Sequence, residues 1–171
     1  MRVVVPHTPS GLRAATRTDL ARFAPHHELY DTSSSDTAYY DAFMSWWLAG
    51  ETFLVVEHDM GLRADVLPSL EACSNLWCGF TYHIGPPDGG DEVVALGCTR
   101  FRAELLQTYP DVPARLAEMQ DTLPPRHWLR LDCRLDALLR TLTGRTVCRH
   151  NPPLPHYHYE PEPDPQETPP C

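Results

Sequence analysis

The chain of 171 residues has no lysine, a single isoleucine (Ile84) and only two asparagines (Asn75 and Asn151). With its richness in Arg, Ala, Pro and Leu, that depletion marks a GC-rich genome. Arginine used where lysine would serve is therefore not in itself a sign of phosphate recognition. No apolar run approaches the roughly 18 residues of a membrane-spanning helix. At the start only Val3-Val4-Val5 is apolar before Pro6, so no secretory leader is expected. No C-x-x-C pair occurs among the six cysteines at 73, 78, 98, 133, 148 and 171. Most lie in apolar segments and are expected to be reduced core residues of a cytoplasmic protein rather than a disulfide framework, with Cys171 exposed. Net positive charge is missing as well. The net charge of −9 argues against a protein that coats nucleic acid. Four acids after His158 account for part of it, and the remainder of the chain still carries −5.

What is present has the length of one domain with one core. Residues 1–158 read as that domain, and 159–171 as a Pro- and acid-rich flexible tail with too few apolar residues to pack. Strand patterns at 2–6, 28–31, 53–57, 77–82 and 93–96 alternate with helical ones at 11–23, 36–49, 65–73 and 100–109. Further helices are expected at 111–120 and 128–142 and a last strand at 146–150. Ser35 or Asp36 is expected to cap the second helix, and Thr99 the helix at 100–109. The alternation predicts an α/β layer fold with a mostly parallel sheet.

The most informative stretch is Phe53-Leu54-Val55-Val56-Glu57-His58-Asp59. A short apolar run between turn signals reads as a strand buried on both faces. Just beyond it, Glu57 and Asp59 point to the same side, because side chains alternate with period two. Two adjacent carboxylates repel unless a positive group lies between them. A divalent cation carrying substrate phosphates answers that need, at the carboxyl end of a strand, where open α/β sheets bind ligands. The plain alternative is a solvated acidic turn.

Together these features resemble the GT-A glycosyltransferase fold: a first strand, an acid (Asp31) ending the second, and a buried strand closing in acid-x-acid. Leu96-Gly97-Cys98-Thr99 resembles the small-residue turn of the acceptor side. Asp132 after Leu131 resembles the general base of inverting members. His156-Tyr157-His158 resembles the C-terminal metal-ligand histidine. The likeness covers residues 1–158 and is nearest to small glycosyltransferase-like proteins of phages with GC-rich hosts. It implies a GT-A-like (Rossmann-like) three-layer sandwich. It implies transfer from a nucleoside-diphosphate sugar, most simply a UDP-sugar, with Mn²⁺ or Mg²⁺.

The resemblance also assigns roles. Asp59 would ligate metal, with His156 or His158 completing the shell; Glu57 would bind a ribose hydroxyl or a metal-bound water. Pro6, His7, Thr8, Asp31 and Asp36 would line the nucleotide, and Gly97, Cys98 and Thr99 the acceptor. The triplet departs from the usual pattern by having Glu at its first position, and the chain is short for the family.

Each assignment has an ordinary counterpart. Asp31 can simply open the turn that follows it, the histidines can be plain exposed ones, and Asp132 can sit on a solvated helix face. Arg126, Arg130 and Arg134 are spaced to share a helical face. With Arg100 and Arg102 they would grip a polyanion such as DNA carrying hydroxymethylated bases, or else form a solvated charged face. Two further classes stay open: a metal-dependent hydrolase or nucleotidyltransferase built on the same acidic edge, and a binding module without turnover.

Overall fold

The computed structural model describes residues 1–85, 90–119, 123–124 and 126–157. His158 and the 159–171 tail lie outside the described residues. The centre of the sheet is β3 (Phe53–Val56), buried at every position. Phe53 and Val55 pack into one apolar cluster, Leu54 and Val56 into another. Period-two alternation with both faces covered explains why this strand reads as a continuous apolar run.

Flanking it, β1 (Arg2–His7) pairs in parallel with both β3 and β2 (Glu28–Asp31). On the other side β6 (Cys98–Phe101) runs antiparallel between β3 and β4 (Trp77–Ile84). β7 (Cys148–Leu154) lies parallel to β4 along its other edge, with a register shift between Phe80 and Tyr82. β5 (Asp91–Val93) pairs antiparallel with the outer half of β4. Because β7 holds the opposite edge at Tyr82, β5 and β6 occupy successive stretches of the same edge. Five of these seven strands, all but β5 and β6, therefore point one way.

Helices α1 (Ala14–Phe23) and α3 (Val66–Ala72) cover the Leu54 face. α2 (Ala38–Leu48), α4 (Ala103–Thr108), α5 (Val112–Glu118) and α6 (Leu131–Thr143) cover the Phe53 face. The result is the expected three-layer α/β sandwich. Phe43 of α2 contacts Trp46, Trp47, Phe53 and Phe101, with ring centroids 5.4–6.3 Å apart. Truncating a fully buried ring in such a cluster costs about 3–5 kcal/mol.

Four local expectations fail. Thr99 does not cap a helix. It lies inside β6, where pairing on both edges outweighs a capping hydroxyl, and its Oγ1 donates to Ala95 O at 2.5 Å. The next helix starts only at Ala103. Arg100 shares that strand and is buried. Its guanidinium donates to the carbonyls of Leu70, Cys73 and Asn75 at 2.6–2.9 Å, satisfying the open C-terminal end of α3. The arginine face is not formed either. α6 begins at Leu131, so Arg126 precedes the helix and pairs with Asp41. Arg134 is buried, donating to the Leu123 and Pro124 carbonyls. Finally, a 3-10 turn at Trp128–Arg130 takes Trp128 off the core stripe and leaves it 49% exposed, while Leu131, Leu135 and Leu139 bury instead. The second helix, too, starts past its expected caps, at Ala38, and Thr37 in the cap position makes no side-chain cap bond.

Candidate functional site

The parallel strands β1 and β3 end at one rim of the sheet, and the chain after β3 turns there. Glu57 N donates to Gly97 O at 2.8 Å and Met60 N to Glu57 O at 3.1 Å. Glu57 and Asp59 thus both reach the cleft, through a turn rather than a continued strand. A second segment is laid against this turn from the C-terminal side. Gly61 N donates to Pro155 O at 2.8 Å, and Tyr157 N to Asp59 O at 2.7 Å. Asp19 of α1 clasps both pieces, accepting from Leu62 N at 3.0 Å and Tyr157 Oη at 3.4 Å. Gly61 is required for the approach, because a Cβ there would lie 2.8 Å from Tyr157 Oη and 2.9 Å from Pro155 Cβ.

This pairing brings His156 Nε2 to 3.2 Å from Asp59 Oδ2, and His58 Nε2 lies 3.9 Å from the same oxygen. Asp59 is only 4% exposed. His156 Nδ1 faces His83 O at 2.8 Å and donates to it, which directs the Nε2 position at the carboxylate. A ring nitrogen anchored on a carbonyl, with its partner nitrogen beside a carboxylate, is how proteins orient an imidazole toward a cation. Burial alone would lower the His156 pKa, but Asp59, the His83 carbonyl and Glu57 outweigh it and raise it. Burial and the neighbouring Asp59 charge push Glu57 up to about 7, against the opposing hydrogen bond from Tyr39 Oη at 2.9 Å. The Asp59 charge opposes ionisation of Glu57, and two carboxylates so placed gain from a cation between them. Asp59 and His156 offer one oxygen and one nitrogen that could hold a divalent cation there.

The cleft above this floor measures about 560 Å³. Its walls are Pro6 near the end of β1, Thr8 just after it, the hydroxyl residues Thr32, Ser33 and Ser35, and Asp36 in the loop before α2. Trp128, half exposed, also lines the cleft, and its backbone N–H donates to Asp36 O at 3.1 Å. His7 does not line the cleft; its carbonyl instead accepts Thr32 N at 2.8 Å and so shapes the wall. Asp31 is exposed, and its Oδ1 accepts Ser33 N at 2.8 Å, the turn arrangement.

A second hollow of about 270 Å³ adjoins the cleft and shares Tyr82 and Ile84 with it. Asp132, in the first turn of α6, borders this hollow, with Oδ1 accepting Cys133 N at 2.7 Å. Its charge is near enough to contribute to the raised pKa values of Tyr39, Glu57 and Tyr82. Of the three acceptor-side residues, Thr99 lines the hollow, Gly97 packs beneath the Tyr82 ring, and Cys98 is buried inside the sheet, away from any acceptor.

Sequence reasoning did not assign Tyr82, Trp128 or the serine wall to the site. Trp128 was concealed by its helical spacing to Leu131 and Leu135.

No protein-family model matches the chain, and no curated protein matches it by sequence. Solved structures do. One is a glycosyltransferase involved in glycosylating the major capsid of PBCV-1, with 13% identity and a TM-score of 0.50 over 88% of this chain and 81% of that one. Another is described as a glucose-1-phosphate thymidylyltransferase from Bacillus anthracis, crystallised with sucrose. It shows 9% identity and a TM-score of 0.54 over 90% of this chain and 87% of that one. With the strand order and the three layers, these likenesses place the chain's architecture: the fold is GT-A-like.

Proposed function

We propose that the protein is a metal-dependent glycosyltransferase that moves a sugar from a nucleoside-diphosphate sugar, a UDP-sugar first, to an acceptor hydroxyl. The observation that carries this reading is the Asp59–His156 pair on the floor of a hydroxyl-walled cleft at the carboxyl ends of β1 and β3. Asp59 and His156 Nε2 would hold Mn²⁺ or Mg²⁺, which when bound supplies the positive charge that a pyrophosphate leaving group needs. Thr8, Ser33 and Ser35 offer hydroxyls to the nucleotide, and Trp128 offers a ring face at the mouth. Asp132 would take the proton from the acceptor hydroxyl as it attacks the anomeric carbon, with inversion.

The hollow beside Asp132 is walled largely by apolar side chains such as Leu96, Leu135 and Leu139. It suits an acceptor with an apolar face. Modified DNA loses its arginine support as an acceptor, because Arg100 and Arg134 are consumed inside the fold.

Calorimetric titration of UDP and UDP-glucose, with and without Mn²⁺, tests the reading on wild type and Asp59→Ala. Metal-dependent binding should be seen in wild type and be lost in the variant. Failure of every nucleoside diphosphate in a panel would leave only the fold. The likeness to a thymidylyltransferase favours one second reading, nucleotidyl transfer to a sugar 1-phosphate. Pyrophosphate release from a nucleoside triphosphate would mark it.

A further inference from the structure

On the sheet face covered by α3, away from the cleft, three soft donor groups converge. Cys73 follows the last turn of α3, and Cys148 and His150 lie two apart on β7, so both project to the same face. Cys73 Sγ and Cys148 Sγ are 3.9 Å apart, and the ligand atoms of all three residues lie within 4.8 Å of one another. Two thiolates bound at about 2.3 Å to a tetrahedral zinc stand about 3.8 Å apart, close to the distance already present. His150 Nε2 is buried and has no hydrogen-bond partner among the described residues. A buried imidazole nitrogen without a partner is costly, and a cation would satisfy it. The ring is held over Phe80, its register partner on β4, at a centroid distance of 5.2 Å.

We propose that Cys73, Cys148 and His150 form a second metal site, separate from the cleft, that takes one Zn²⁺ ion. Burial opposes ionisation at Cys73, but the hydrogen bond from Asn75 helps to bring that thiol down to about 6. Cys148 is raised by burial and by Cys73, so binding releases its proton. Burial pushes Cys78 up to about 12, and it stays a thiol behind the site. The three residues are partly exposed, so the ion has an entry path and solvent can fill the fourth position. The site would clamp β7 to the end of α3. β7 ends at Leu154, two residues before His156, so the clamp would steady the strand that delivers the cleft histidine.

The full chain, stripped with a chelator and reduced, is titrated anaerobically with Co²⁺ and then Zn²⁺. A thiolate-to-cobalt charge-transfer band should saturate at one ion per chain and vanish as Zn²⁺ displaces it. An ion at Asp59 and His156 has no sulfur ligand and gives no such band. Cys148→Ser should lose the band, His150→Ala should weaken Zn²⁺ binding by about 100-fold or more, and Asp59→Ala and Cys133→Ser should keep it. In wild type, where folding is not in question, Zn²⁺ should shield Cys73 and Cys148 from alkylation in a peptide map. Absence of the band, its survival in Cys148→Ser, or alkylation unaffected by Zn²⁺ would overturn the proposal. So would an intact mass showing the two cysteines joined as a disulfide in the freshly isolated chain.

Discussion

The cleft and the hollow share one ring, Tyr82, and little else. The cleft is lined by carboxylates, imidazoles and hydroxyls, and its floor is a turn pinned by backbone hydrogen bonds. The hollow is lined by Leu, Val, Ala and Phe with two aspartates on one rim. One concavity is polar and charged; the other is largely apolar, with its acids on α6. The strands explain the difference. β1 and β3 end together at the cleft, so consecutive loops bring polar groups to one place. The hollow lies along the side of β4, β5 and β6, where side chains facing α6 belong to the core.

The sharpest break between the two is Asp132→Asn. If the hollow houses the acceptor and the cleft the donor, turnover should fall by about 10²–10⁴-fold, the range for a lost general base. Affinity for UDP with Mn²⁺ should stay as in wild type. Kinetics beside calorimetry on the same preparation checks this; unchanged turnover removes Asp132 from the chemistry.

Gly97→Ala tests the wall between them. A Cβ at Gly97 would lie 2.6 and 2.8 Å from Tyr82 ring atoms and 3.0 Å from Met60 Sδ. The ring is buried and meets the His156 imidazole edge-on at 5.1 Å. It cannot yield without moving that imidazole. Overpacking of this kind costs about 1–3 kcal/mol. Thermal unfolding should show the loss, and Mn²⁺-dependent UDP binding should weaken with it. A variant of wild-type stability and affinity would mean that Tyr82 does not fix the cleft.

Trp128→Ala should affect the cleft alone. The ring is half exposed at the mouth, so its loss removes a binding surface rather than core. The Michaelis constant for the nucleotide sugar should rise about tenfold, on the scale of one aromatic contact, with stability unchanged within about 0.5 kcal/mol.

What the sequence revealed follows the same division. The buried strand ending in Glu57-His58-Asp59 was readable because a four-residue apolar run with an acidic edge is a local pattern. So was the layered α/β order. The hollow was readable only at Thr99 and Asp132; Leu96 and Leu135 join them because α6 packs against the sheet, which no local period records. Arg100 and Arg134 looked like a surface charge pattern because spacing cannot show that their guanidinium groups are taken by carbonyls of α3 and of residues 123–124. His156 was found by resemblance; what sets it against Asp59 is the pairing of 59–61 with 155–157, a contact across nearly one hundred residues of chain.

The smallest expected effect lies in the anchoring of the cleft's outer strand. At the sheet edge Arg2 Nε and Nη2 donate to Glu28 at 2.8 Å, and Tyr30 Oη donates to the same carboxylate at 2.8 Å. The Arg2 and Tyr30 hydrogen bonds hold the Glu28 carboxyl down at about 2, against an ordinary 4.5. A carboxyl with a lowered folded pKa stabilises the fold above its unfolded pKa. That contribution fades as pH falls from about 4.5 toward 2. Glu28 is half exposed, so solvent screening limits the gain to about 0.5 kcal/mol. Glu28→Gln should therefore lower the melting temperature by about 1–2 °C at pH 7 and by nothing measurable near pH 2. An equal loss at both pH values would show that β2 is held by its ladder to β1 and by shape, as the hollow is, and not by charge.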